Sequence, residues 1–109
     1  MTSMHQPIWM EPFLRAIVNP DVTLPVRVQS VTQTSFGHPS QWEGWTATDK
    51  LILVRFRHGQ LWIGLTPDFM TTPVTVLQAH THGDGDQDDD GYLAFETLRR
   101  ITAGVVEWP

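Results

Sequence analysis

The pair His58-Gly59 sits between two runs in which apolar and polar residues alternate, and this pattern constrains the chain more than any other. A two-residue turn there pairs Phe56 with Leu61, Val54 with Ile63 and Ile52 with Leu65. All six are apolar and share one face, and a slip of one residue would turn each of them to the other side. A second turn-like pair, Asp49-Lys50, precedes it, so Trp42 to Leu65 reads as two successive hairpins. Carrying the register back through Asp49-Lys50 adds Trp45 and Ala47 to the apolar face. Trp42 and Trp62 then fall on the opposite face with Leu51, Leu53, Arg55 and Arg57. Thr66-Pro67-Asp68 and Thr72-Pro73 punctuate the chain before a further strand, Val74 to Thr81.

Upstream, the period changes twice. Trp9/Phe13, Phe13/Ile17 and Leu14/Val18 are four apart, the spacing of one helical face, and predict a short helix from about Met10 to Asn19, stopped by Pro20. From Val22 to Val28 apolar residues alternate with polar ones as in a half-buried strand. Pro25 cannot donate to a ladder, so that strand lies at an edge or Pro25 sits where its nitrogen faces out. The alternation slips between Ser30 and Val31, marking a bulge or the strand end. Thr34 to Gln41 reads as a loop. Downstream of a polar stretch from Thr81 to Gly91, Leu93, Phe95, Leu98 and Ile101 predict a second helix. Asp89 or Asp90 would be its N-cap, and Arg99, Arg100 and Gly104 would form its end. The expected fold is α+β: an antiparallel meander of four or five strands with an N-terminal and a C-terminal helix. Residues 1–109 are read as one small domain, with a loose start at 1–6 and an acidic loop at 82–91.

Charge is concentrated in that loop. The chain has 109 residues and a formal charge of −5, and five of its acids are Asp84, Asp86, Asp88, Asp89 and Asp90. The seven acids outside this cluster balance the seven Lys and Arg. An acidic tail and a strongly basic nucleic-acid binder are both excluded. There is no cysteine, which removes disulfide scaffolds, Cys-ligated zinc and thiol catalysis. The first residues lack the pattern of a secretory signal, and no apolar run approaches the ~18–20 residues of a membrane span. A cytoplasmic protein without membrane contact is expected.

Two groups of residues have the spacing of metal ligands. Asp86-Gln87-Asp88-Asp89-Asp90-Gly91 fits D-x-D-x-D-G and resembles the calcium loop of EF-hand proteins. The resemblance implies carboxylate ligands from Asp86, Asp88 and Asp90 and a backbone carbonyl from Tyr92. It departs at the twelfth position, where Thr97 stands in place of the bidentate Glu and Glu96 comes one residue early, which leaves a looser D-x-D-x-D-G site using Asp86, Asp88, Asp90 and Glu96 as the further metal reading. The alternative is that acids preceding a helix complement its dipole and keep the loop solvated. His80, His82 and Asp84 form the second group, since residues two apart on a strand project from one face. His80-Thr81-His82-Gly83-Asp84 resembles the H-x-H-x-D-H motif of metallo-β-lactamase-fold hydrolases, with Gly85 in place of the last His. The bland reading is a pair of polar residues leaving a sheet.

No G-x-S-x-G, P-loop or G-x-G-x-x-G motif occurs. The five Trp are more informative. Trp42, Trp62, Arg55 and Arg57 share the face opposite the apolar one, and Trp62 stands across the hairpin from Arg55 as in a cation–π pair. Trp and Arg are what binding hot spots are enriched in; the alternative is that a helix or the Pro25 strand covers this face and makes Trp42 and Trp62 core residues. The sequence thus points to a non-catalytic protein-binding or regulatory module, of inhibitor type among other forms, that uses this face for a protein partner or a homodimer. The acidic loop would add electrostatic steering toward a basic surface. The alternatives are a Ca²⁺- or other metal-binding module built on the loop, and a small metal-dependent hydrolase using His80, His82 and Asp84. No cofactor is required unless the loop holds Ca²⁺. Nucleic acid is not the expected partner, because two Arg on an acidic chain offer little phosphate affinity.

Overall fold

The structure is a computed structural model, and it describes residues 13–37, 39–81 and 92–109. Its strands are β1 (Phe13–Val18), β2 (Val26–Phe36), β3 (Ser40–Thr46), β4 (Leu51–Arg57), β5 (Gln60–Thr66), β6 (Val74–Thr81) and β7 (Val106–Glu107). One short helix, α1 (Phe95–Ile101), precedes β7. The strands form one seven-stranded sheet in the order β1-β6-β5-β4-β3-β2-β7, curved into a half-barrel. All pairings are antiparallel except that of β7 with β2. Among the described residues this is a mixed, mostly β architecture with one helix, and it replaces the expected α+β fold with two helices and a four- or five-stranded meander.

The β4–β5 hairpin forms as its sequence pattern requires. His58 and Gly59 have φ of 53° and 73°, the two positive values of a type I′ turn. The turn fixes Phe56 opposite Leu61, Val54 opposite Ile63 and Ile52 opposite Leu65. The β3–β4 turn differs from its expectation. Thr46 donates its amide to the Lys50 carbonyl at 2.8 Å, which leaves three residues, Ala47-Thr48-Asp49, in the loop. Asp49 takes the left-handed conformation with φ 65°, the usual third residue of such a loop. Register therefore moves by an odd number: Trp42, not Trp45, lies opposite Val54, and Trp45 faces Leu51. Because side chains alternate with period two, Trp42 goes into the core and Trp45 turns outward.

The core lies on the concave face. Trp42, Ile52, Val54, Phe56, Leu61, Ile63, Leu77 and Ala79 line it, and Val76 joins them at a register shift between β5 and β6. The C-terminal segment contributes to the same cluster with Leu93, Leu98, Ile101, Val105 and Val106. Phe95 links the two parts, its ring 6.2 Å from that of Trp42 and 5.6 Å, edge-on, from that of Trp108. Thr102 ends α1 and is fully buried; its hydroxyl donates to the Leu98 carbonyl at 2.6 Å and accepts the Trp108 indole N–H at 2.9 Å.

Three local expectations are corrected. Phe13–Val18 is the strand β1, paired with β6, and not part of a helix. An isolated helix confined between Pro12 and Pro20 would be short and marginal, whereas pairing with β6 satisfies the backbone. β2 begins after Pro25 and continues to Phe36, through part of the expected loop; it lies between β3 and β7 and not at an edge, and its register shifts fall between Val28 and Ser30 and between Gln33 and Ser35, not between Ser30 and Val31. The N-cap of α1 is Ala94, without a side-chain cap bond, and not Asp89 or Asp90. The expected loose start at 1–6 and the acidic loop at 82–91 lie outside the described residues.

Candidate functional site

The convex face of the sheet is built in rows across β3 to β6. Gln41, Arg55, Trp62 and Gln78 form one row, and Glu43, Leu53, Gly64 and Thr75 the next. Trp45 and Leu51 continue the face toward one end, and Arg57 and Gln60 toward the other. Leu51 is only 1 % exposed yet lies outside the main core cluster, so this face buries an apolar spot of its own.

The segment between β5 and β6 folds back onto the same face. Thr66, level with Leu51, is buried, and its hydroxyl lies 2.8 Å from the Asp68 carbonyl and 3.0 Å from that of Thr71. Asp68 closes the loop from the other side. Its carboxylate accepts the Met70 amide at 2.8 Å and the amide and hydroxyl of Thr71, both at 3.0 Å. These bonds hold the Asp68 carboxyl below its usual range, the Met70 amide most strongly and then the Thr71 hydroxyl, against a small opposing effect of desolvation. The loop so fixed presents Phe69 and Met70, 67 % and 92 % exposed.

Trp62 is the centre of the face. Its indole N–H donates to the Thr75 hydroxyl at 3.0 Å, and its ring lies over Gly64. A Cβ at Gly64 would come within 2.5 Å of Trp62 Cζ2 and 3.2 Å of Pro73 Cβ, so the glycine is what lets the indole lie flat. Between Trp62, Phe69, Pro73, Leu53, Arg55 and Glu43 runs an open groove of about 560 Å³. A second groove of about 560 Å³ opens at the rim of the concave side, among Val22, Val26, Leu65, Val74 and Lys50.

Of the residues the sequence assigned to a partner surface, the structure brings three together on the outer face. Arg55 is directly opposite Trp62, as expected, and Arg57 follows two residues on. Trp42 is corrected: it is 2 % exposed, in the core, and its place on the outer face is taken by Trp45, which is 44 % exposed. The cation–π pair is also corrected, since the indole leans toward Gly64 and Thr75, away from Arg55. Arg57 instead donates from Nε to His58 Nε2 at 3.2 Å. Neither Arg55 nor Arg57 has an ion-pair partner among the described residues, where the one salt bridge joins Arg27 to Glu107 at 3.3 Å.

Of the expected metal ligands, His80 is exposed at the β6 end beside Gln60, Tyr92 is exposed before α1, and Glu96 is exposed in its first turn. His82, Asp84, Asp86, Asp88 and Asp90 lie outside the described residues. No group of three or more His, Cys, Asp or Glu side chains suited to a metal occurs among the described residues. Nor is any helix there long and apolar enough to cross a membrane.

Sequence reasoning missed Phe69, Pro73 and Trp45. The first two belonged to what read as a connector, and the signal for its folding back was Thr66 and Asp68, each a side chain that ties nearby backbone. Fold and face together define an open half-barrel with an exposed aromatic and arginine-bearing convex surface. Comparison with protein-family models, curated proteins and solved structures finds no match.

Proposed function

We propose that the chain is a small non-catalytic interaction module, of regulatory or inhibitor type, whose convex sheet face binds a protein surface. The observation that carries this reading is an outward-facing groove floored by Leu53 and Trp62, edged by Arg55 and flanked by the exposed Phe69, with Trp45 and Met70 exposed elsewhere on the same side. Exposed apolar groups beside a groove mark interaction sites, and Trp and Arg are among the residue types that dominate binding energy. Trp62 stands on β5 and is tied to Thr75, so this aromatic is held in place before a partner arrives, which reduces the ordering cost of association. Its polar groups, Gln41, Glu43 and Arg55, suit recognition at a rim. A cytoplasmic setting goes with this reading on the cysteine-free composition.

Hydroxyl-radical footprinting tests it. Trp45, Phe69 and Met70 are expected to label fully in dilute purified protein and to be protected in a lysate of the native host. Equal labelling in both conditions refutes the reading.

A further inference from the structure

The convex face is electrically polar along its strands. Toward the β4–β5 turn it carries Arg55 and Arg57, with His58 and His80 beside them. In the next row toward the opposite end it carries Glu43, diagonal to Arg55, and beyond it, on the loop tied to Thr66, Asp68. Trp62 lies in the row of Arg55 and Leu53 in the row of Glu43, and with Phe69 and Pro73 they form the apolar part of the groove. None of the four charged groups is ion-paired among the described residues.

A surface with an apolar groove and opposite charges on its two halves is complementary to itself. A two-fold axis lying in the interface and running across the strands sets the cationic end of one copy over the anionic end of the other. An axis along the strands would stack like charges and is disfavoured. Resting on the interaction reading above, we infer that the surface this face binds is the same face of a second copy of the chain, in an isologous dimer. Arg55 and Arg57 of each copy meet Glu43 and Asp68 of the other, and Trp62 and Phe69 of the two copies fill one another's groove. Laid flat, four strands ~4.8 Å apart and seven residues at ~3.3 Å cover roughly 19 × 23 Å, and the outward curve of the sheet lowers the area that two copies share. That is at most about half of the ~800 Å² per partner of a standard interface, so the dimer is a weak, concentration-dependent one.

Sedimentation of the purified full chain over a wide concentration range tests this. The expected result is a monomer–dimer equilibrium that weakens as salt is raised, because exposed charge pairs are screened. Phe69→Asp is expected to give monomer throughout, with a far-UV spectrum and melting temperature like those of the unaltered chain. Arg55→Glu and Glu43→Arg each should weaken self-association about tenfold, and mixing the two variants should restore it as a heterodimer. A wild-type chain that stays monomeric, or a dimer indifferent to Phe69→Asp and to both charge reversals, overturns the inference. Monomer at every concentration together with a footprint protected in host lysate overturns the self-pairing and leaves the interaction reading standing. Absence of protection in either setting overturns both. Protection of Phe69 that does not change with concentration, as an intramolecular cover would give, also overturns the self-pairing.

Discussion

Two glycines, Gly44 and Gly64, are occupied by neighbours where a Cβ would stand, and the nature of each neighbour sets what an alanine would do. At Gly44 the obstacle is backbone: a Cβ would overlap the Ser30 carbonyl oxygen and lie 3.1 Å from Val31 Cα. This is the stretch of β2 where register against β3 shifts between Val28 and Ser30, so the carbonyl is held by a bulge and by the ladder on either side. Gly44→Ala must push β2 from β3. Overpacking costs about 1–3 kcal/mol, and a spoiled ladder bond adds roughly 0.5–1.5 kcal/mol. The gain from a less flexible unfolded chain returns only ~0.4–1 kcal/mol. The net expectation is a loss of about 2–3 kcal/mol, which for a domain of this size is a fall in Tm on the order of 10–20 °C. At Gly64 the obstacle is the far edge of the Trp62 indole, a side chain that can swing away. Gly64→Ala therefore costs little more than the Trp62–Thr75 hydrogen bond, about 1 kcal/mol, but it lifts the indole into water. Urea titration followed by circular dichroism measures both losses, and tryptophan emission of the native protein reports the indole. Gly44→Ala should shift the midpoint by at least twice as much as Gly64→Ala, and only Gly64→Ala should red-shift native emission. Equal midpoints, or a neutral Gly44→Ala, would refute the assignment of the backbone obstacle.

Trp42→Ala should cost about 3–5 kcal/mol as a large truncation in the core, whereas Trp45→Thr on the outer face should cost under about 1 kcal/mol; urea midpoints of the two variants decide, and the reverse order would restore the register with Trp45 inside. Thr102→Val leaves the buried end of the Trp108 indole N–H without its acceptor, and the expected loss is about 1–3 kcal/mol, read as an early loss of near-UV ellipticity on heating. The folded Asp68 carboxyl titrates below its unfolded value, so its contribution is present above the ordinary carboxylate range and disappears as pH falls through that range and below it. Hydrogen exchange at the Met70 and Thr71 amides should accelerate in acid relative to amides of β4, and Asp68→Asn should remove most of that pH dependence; exchange that keeps step with β4 at every pH would contradict the capping role.

How much of this could be read beforehand differs sharply between the two hairpins. At His58-Gly59 the turn dipeptide and six alternating apolar residues carry the same message, and the register follows pair for pair. At the β3–β4 turn, Asp49-Lys50 resembled a two-residue turn, while the loop that forms is Ala47-Thr48-Asp49. The cue was in Thr46, whose hydroxyl accepts the Lys50 amide at 3.0 Å and the Thr48 amide at 3.3 Å, and in Asp49, which tolerates the left-handed conformation better than most residues. For β1 the misleading signal was spacing: in a run of six residues, i to i+4 pairs occur in a strand as well as in a helix. What decided it was a partner more than fifty residues away, with Ala16 opposite Ala79 and Val18 opposite Leu77. Ile17, 61 % exposed, shows that the run was never a single buried stripe. The adjacency of Arg55 and Trp62 was legible because it depends only on the turn between them. The contribution of Phe69 was not, because it depends on a loop folding back onto strands that it does not pair with.

The odd-numbered turn also determines where the candidate site sits. Both tryptophans of β3 are separated by three residues, so they point to opposite faces whichever register holds, and the turn alone chooses which goes inward. With Trp42 inside, its ring reaches Phe95 and, through Phe95, Trp108, so that the C-terminal segment is fastened to the middle of the sheet and not only to β2 at its edge. With Trp45 outside, the convex face gains an aromatic at its anionic end, near Glu43 and opposite the arginines. The alternative register would have put Trp42 outside, on the strand next to Arg55, and crowded aromatic and cationic groups into one corner. The polarity of the face, and with it the preference for an antiparallel approach of a second copy, thus follows from a single extra residue between β3 and β4.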